Sequence, residues 1–259
     1  MKPIVHRGLL DCKTDIPFPS AQIVIHQPSI HEIQLIGETT QIIGANAITK
    51  DYKDYQNFQD NSGLENLSNF DILMKIISSK TEQTRQVTEA IQQLLVLLFP
   101  TCQNFFTPSS ILLKDEEQMH MIDNSNFEDF RRIIYDIFCL AELHGETEQD
   151  YNPAGDRARA IVEKFRKKHE YLAELRKERG EHTELMSLYG RYINILAVGE
   201  HKDKNVLSNY SVYQLVEEFK RFQLKESFDF TYQAKLAGET KIKDPKDWMT
   251  DMSFGSKEE

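Results

Sequence analysis

The C-terminal stretch from Tyr189 to Met252 constrains the fold more than any other part of this 259-residue chain. Its aromatic and aliphatic residues recur at the spacing of an amphipathic helix, and polar turns and glycines interrupt them. Ser211 is a suitable N-cap, and the pattern that follows runs to Gly238, so it predicts the longest helix of the chain. The apolar positions of this predicted helix are Leu215, Val216, Phe219, Phe222, Phe230, Ala234 and Ala237.

A second apolar row on the same predicted helix is spaced by four residues and lies at a neighbouring angle to the first. Beyond this row, Asp244 followed by Pro245 marks the start of a further helical turn, whose apolar side chains are placed to pack back. Because two rows need two covering surfaces, we predict that the second row and this turn contact a partner protein. The candidate interface residues are Phe228, Tyr232, Leu236, Trp248 and Met249.

The chain as a whole predicts a mainly α fold with a small β portion, of the α+β class. Helical spacing dominates the C-terminal two-thirds. One short strand is predicted in the N-terminal region, over Gln22 to His26. A central hairpin is predicted from Ile111 to Leu113 and from Met119 to Ile122, with an acidic turn between the two strands.

Several helix starts can be located from capping residues. Ser29 with Glu32, and Ser125 with Glu128, have the spacing of a capping box. Further helices are predicted from Asn69 and from Thr81 to Pro100, from 152 to about 179, and after Thr183. Cys139 follows the apolar stripe of the helix after Ser125, so we expect its thiol to be buried packing.

Composition shifts divide the chain into three predicted segments. Residues 1–67 form a proline-rich extended arm, a short strand and helix, and a polar loop. Residues 68–150 form a small α+β domain that contains the hairpin. Residues 151–259 form a helical C-terminal domain.

Charge is distributed unevenly around a net value of −10. Residues 1–150 hold 11 Lys+Arg against 22 Asp+Glu. This acidic balance argues against nucleic-acid binding by these residues, because affinity for nucleic acid depends on neutralising its phosphates. The predicted helix over residues 157–179 has a basic face that includes Arg166, Lys167 and Lys168. This face is either a solvated surface or a docking surface for an acidic partner.

Motifs that carry chemistry are missing from the sequence. The three cysteines form no CxxC pair, and neither a phosphate-binding glycine loop nor a GxSxG elbow occurs. The eight histidines are scattered; His26 and His31 flank Glu32 but fall on different predicted elements, and the acidic turn Asp115 to Glu117 lacks the ligand spacing of a calcium loop. We therefore expect no catalytic, cofactor-binding or metal-binding residues, and a protein that is not an enzyme.

The most apolar window, Leu94 to Phe99, is too short to span a membrane, so no membrane partner is expected.

The phrases RYINILAVGEHKDKN, YSVYQLVEEFKRFQLKESFDFTYQAKLAG and DPKDWM resemble the C-terminal part of tailed-bacteriophage tail morphogenesis proteins. These are baseplate or tail-tube-associated components and tail assembly chaperones. The N-terminal phrase IVIHQPSIHEIQLIGE is similar in style to openings in the same group.

The resemblance implies a non-enzymatic protein that acts through contacts with other phage tail proteins, namely tape-measure, tube or baseplate components, as an oligomer or in a multi-copy assembly. It implies action in the host bacterial cytoplasm, and a place in the virion tail if the product stays in the particle. The alternative hypothesis is a small regulatory or nucleic-acid-associated module that uses the basic helix 157–179.

Overall fold

The computed structural model describes residues 4–52, 67–79, 81–143 and 187–237. They form a mixed α+β fold in which helices predominate and two small antiparallel sheets pack beside them, as the sequence predicts. The helices are α1 (Arg7–Asp11), α2 (Ile30–Ile36), α3 (Glu38–Thr49), α4 (Asn69–Ser78), α5 (Glu82–Leu98), α6 (Phe127–Ile137), α7 (Leu140–Leu143), α8 (Leu188–Gly199), α9 (Lys204–Ser208) and α10 (Val212–Leu236). None of the helices within these residues is long and apolar enough to cross a membrane.

The sheets contain strands that the sequence predicts and strands that it does not. The first sheet pairs β1 (Ile16–Phe18) with β2 (Ile23–Ile25) around a 3-10 helix, Pro19–Ala21. The second has the order β3-β4-β5, with strands Gln103–Phe106, Ile111–Lys114 and Met119–Ile122. The predicted central hairpin is confirmed as β4-β5, and β2 confirms the predicted N-terminal strand, whereas β1 and β3 were not predicted.

The N-terminal segment takes part in the core. Where the sequence predicts an extended arm, the structure has α1 and the β1-β2 hairpin, with Leu10 and Phe18 buried. Helix α3, which the sequence did not predict, crosses α5 closely: a Cβ on Gly44 would lie 2.8 Å from the Ala90 carbonyl oxygen. Only a glycine allows this approach of the two helices without displacement of backbone.

Capping boxes begin three of the helices. Ser29 with Glu32 caps α2 as predicted, Ser211 with Gln214 caps α10, and a third such box begins α4. The prediction for Ser125 with Glu128 is wrong, because the Ser125 hydroxyl donates to Asp123 and the Glu128 carboxylate pairs with Arg131. Helix α6 instead has Asn126 as its N-cap residue, and it ends at Ile137.

The capping box of α2 predicts an acid dependence of stability. Burial raises the pKa of Glu32, but hydrogen bonds from the Ser29 hydroxyl and amide outweigh burial and hold that pKa below its ordinary value of 4.5. A carboxyl with a depressed pKa contributes stability that is fully present above the ordinary value and is lost as pH falls through the folded-state pKa. We therefore expect Glu32→Gln to flatten the fall of the free energy of unfolding below about pH 4.5, as measured by urea denaturation across a pH series. An unchanged acid slope in Glu32→Gln would contradict this role.

One hydrophobic cluster joins elements from all three predicted segments. The Phe130 ring of α6 lies 5.9 Å from Phe18 of β1 and 6.2 Å from Phe99, which follows α5. Tyr189 and Leu215 of the C-terminal helices belong to the same cluster. The segment boundaries near 67 and 150 adjoin residues outside the described ranges, so the division of the chain stays a prediction. Cys139 is buried as predicted.

Candidate functional site

The start of α8 is fixed by α3. The Glu38 carboxylate accepts hydrogen bonds from the Leu188 amide at 2.7 Å and from the Ser187 hydroxyl. One turn further along α3, the buried Gln41 Oε1 accepts a hydrogen bond from the Tyr189 hydroxyl at 2.8 Å. Burial raises the pKa of Tyr189 well above its ordinary value, so the hydroxyl stays protonated and donates.

Removing this hydroxyl is expected to destabilise the protein. In Tyr189→Phe, Gln41 Oε1 loses its partner, while Gln41 Nε2 already lacks one among the described residues. A buried polar group left unpaired costs about 1–3 kcal/mol, so the free energy of unfolding should fall by about that amount. Chemical denaturation measures the change.

The matched control is the double variant Tyr189→Phe with Gln41→Leu, which removes both partners of this hydrogen bond. Because an apolar pair leaves no amide unsatisfied, the double variant should recover part of the lost stability. Equal stability of the parent and the single variant would show that the bond is not needed for docking of α8.

The first half of α10 is anchored to the N-terminal segment by polar contacts. The buried Glu217 carboxylate accepts from Arg7 Nη2 at 2.7 Å and from Arg221 Nε at 2.7 Å. Gln214 Nε2 donates to the Asp11 carbonyl at 2.7 Å. These contacts tie α10 to α1 over its first three turns.

Aromatic packing against α8 completes the anchored half. The Tyr192 and Phe219 rings stack with centroids 4.2 Å apart and an interplanar angle of 10°. A Cβ on Gly199 would overlap the Phe222 ring, so the absent side chain makes room for that ring. Phe222 is the last residue of α10 that packs against the hydrophobic core of the described residues.

Beyond Phe222, α10 presents large apolar side chains to solvent. Phe230 is 72% exposed, Tyr232 54% and Leu236 72%. The sequence pattern places Phe230 on the apolar row that faces the core. The structure corrects this: α10 extends past the hydrophobic core at Phe222, so Phe230 lies on that row but is exposed. A 25-residue helix is about 37 Å long, which is longer than the surface it packs on here.

The predicted second row is present as a continuous ridge. Leu224, Phe228, Tyr232 and Leu236 follow one another at four-residue spacing, the first two half-buried and the last two exposed. The Phe228 and Tyr232 rings are nearly parallel, with centroids 6.2 Å apart. We call these four residues the α10 ridge. The sequence prediction did not include Leu224, although the same spacing identifies it.

The remaining predicted interface residues are not placed. Trp248, Met249, Arg166, Lys167 and Lys168 lie outside the described residues, as does the whole predicted helix 157–179. Their assignment to a partner interface stays a prediction. The structure therefore brings together one part of the predicted interface, the α10 ridge.

A cluster of Cys102, Asp115 and His120 at one end of the second sheet has a structural role. His120 is buried, with Nε2 3.1 Å from Asp115 Oδ2 and Nδ1 3.1 Å from the Ala21 carbonyl oxygen. Burial raises the pKa of the Cys102 thiol and the Asp115 carboxylate raises it further, which opposes formation of the thiolate that a nucleophile needs. The cluster ties the β4-β5 turn to the 3-10 helix. No group of three or more His, Cys, Asp and Glu side chains within the described ranges could hold a metal ion.

Comparison with models of protein families gives a match in the C-terminal region. Residues 181–253 match a family model described as the YomV second domain. This family is phage-derived, so the match supports a phage origin for this part of the chain. Its described part consists of α8, α9 and α10 with the α10 ridge. Neither curated proteins nor solved structures gave a match.

Proposed function

We propose that this chain is a non-enzymatic phage protein that acts through protein contacts in building the tail, either as a tail or baseplate component or as a tail assembly chaperone. The observation that carries this proposal is the α10 ridge, which is an exposed apolar surface on a helix within the region that matches a phage-derived family. Exposed contiguous apolar surface on a folded protein marks an interaction site.

The ridge has the form of a helix that enters an apolar groove. Its side chains recur every four residues along one side of α10, as the anchors of groove-binding helices do. Burial of a large apolar side chain contributes about 1.5–3 kcal/mol, so the exposed ends of the ridge hold several kcal/mol of binding free energy. The anchored first half of α10 keeps the second half helical and extended before the partner arrives, which lowers the entropy cost of binding.

The partner in this proposal is another tail protein, a tape-measure, tube or baseplate component, with an apolar groove wide enough for one helix. The contact forms in the host bacterial cytoplasm during assembly. A structural component keeps it in the virion tail, whereas a chaperone releases the partner before the tail is complete.

Deleting this gene from the phage genome and examining the particles that form in infected cells tests the proposal. We expect such a phage to make heads without functional tails, as seen by electron microscopy, and a plasmid copy of the gene to restore the tails. Mass spectrometry of purified virions then separates the two forms, because a component is present at a fixed copy number and a chaperone is absent. Normal tails in the absence of the gene would contradict the proposal.

A further inference from the structure

The outward face of the three-stranded sheet is mostly apolar, with Gln103 and Lys114 at one end of it. In the register of the sheet Phe105 lies opposite Leu112, and Leu112 lies opposite Met121. Phe105 is 47% exposed and Met121 is 46% exposed, whereas the opposite face buries Ile111, Leu113 and Ile122 in the core. An antiparallel sheet with one face on the core ordinarily has polar residues on the other. We call the lateral line of Phe105, Leu112 and Met121 the sheet row.

The sheet row ends at the edge strand β3, which follows α5 and lies beside it. Strand β5, at one edge, lies beside the 3-10 helix, and its His120 bonds the Ala21 carbonyl. Strand β3, at the other edge, has a backbone that pairs with β4 alone in the part of the chain that the structure describes. The outer backbone donors and acceptors of Gln103–Phe106 are complementary to one kind of element, another β-strand.

This edge also lacks the charges that commonly protect an edge strand. Lysines, prolines or inward-pointing charges usually discourage strand addition. Charged residues make up 28% of the chain, yet residues 90–113, which include all of β3, contain no Asp, Glu, Lys or Arg. The strand sequence itself is Gln-Asn-Phe-Phe.

We propose that β3 pairs with β3 of a second copy of this chain, in antiparallel fashion about a twofold axis, to form a six-stranded sheet. Each copy carries a net charge of −10, and a strand pair formed by two copies of β3 adds no like-charge contact of its own, because β3 has no charged residue. The twofold axis keeps both apolar faces on the same side, so the two sheet rows join across the new pair. Both copies contribute the same surface to this interface, so no second copy of the interface remains free and assembly stops at a dimer.

Analytical ultracentrifugation of the purified full-length chain over a dilution series tests the proposal. We expect a monomer–dimer equilibrium in the parent. Phe105→Lys places two like charges beside each other at the new strand pair, so it should weaken dimerisation by about tenfold or more. Val24→Lys is the matched control, because Val24 is a 53% exposed strand residue on the other sheet. It should dimerise like the parent.

A monomeric parent, or a dimer that persists unchanged in Phe105→Lys, would overturn the proposal. Hydrogen exchange on the parent gives a second test that needs no variant: the amides of residues 103–106 should be more protected in concentrated than in dilute solution. Equal protection at both concentrations would also overturn it. The inference is separate from the proposed function, since substitutions in the α10 ridge should leave this dimer intact.

Discussion

Phe130→Ala is expected to lower the free energy of unfolding by about 3–5 kcal/mol, the cost of truncating a fully buried phenylalanine. Phe130 has no exposed surface, and its ring meets Phe18 and Phe99, so the cavity would open between β1, α6 and the end of α5. Because these elements share one core, we expect the loss to appear in a single cooperative transition, with far-UV circular dichroism and near-UV circular dichroism of the buried aromatic residues changing together.

The control for Phe130→Ala is Phe230→Ala, which truncates a phenylalanine that is 72% exposed. An exposed substitution away from special features changes stability by about 0.5 kcal/mol or less, so Phe230→Ala should unfold like the parent. Two separated transitions in Phe130→Ala would show that the predicted segments 1–67 and 68–150 fold independently. A small loss, comparable to that of Phe230→Ala, would mean that the cavity collapses.

Helix starts with local capping signals could be predicted from the sequence because their hydrogen bonds close within a few residues. Ser29 with Glu32 is such a case. The same spacing failed at Ser125 because its hydroxyl donates to Asp123 and because the Glu128 carboxylate pairs with Arg131. Arg131 is itself held by the Thr49 carbonyl of α3. Local spacing does not report such competition.

Elements defined by their neighbours were missed for a different reason. Helix α3 buries the small residues Gly44, Ala45 and Ala47, with Gly44 against α5, and such small residues give no apolar stripe. Strand β3 has only four residues, and its extended state depends on pairing with β4. Without these two elements, the sequence prediction contained neither the packing of the N-terminal segment nor the edge of the second sheet.

The candidate site shows the same division. Four-residue spacing identified Phe228, Tyr232 and Leu236 as one row, since helix geometry alone decides which side chains share a side. Whether an apolar row of α10 is buried depends on where along its length the helix stops packing against the hydrophobic core. That point is set by contacts distant in sequence, Glu217 with Arg7 and Phe222 against Gly199, so the exposure of Phe230 could not be predicted.

Tyr232→Glu combined with Leu236→Glu is expected to abolish tail assembly while leaving the protein folded. Both side chains are more than half exposed, so the free energy of unfolding should change by about 0.5 kcal/mol or less. Two lost anchors at about 2 kcal/mol each correspond to a loss of partner affinity of roughly a thousandfold. The measurement is the yield of tailed particles when plasmid copies of the gene complement a phage that lacks it.

The matched control for the ridge variant is Gln223→Glu combined with Ser227→Glu, which adds the same charge, at the same four-residue spacing, at exposed positions of α10. The helical period places these two residues on the side of α10 opposite Tyr232 and Leu236, so they test the added charge away from the two substituted anchors. We expect this control to restore tails as the parent gene does. Equal yields from the ridge variant and the control would exclude the α10 ridge as the partner surface, because charge alone would then account for any loss.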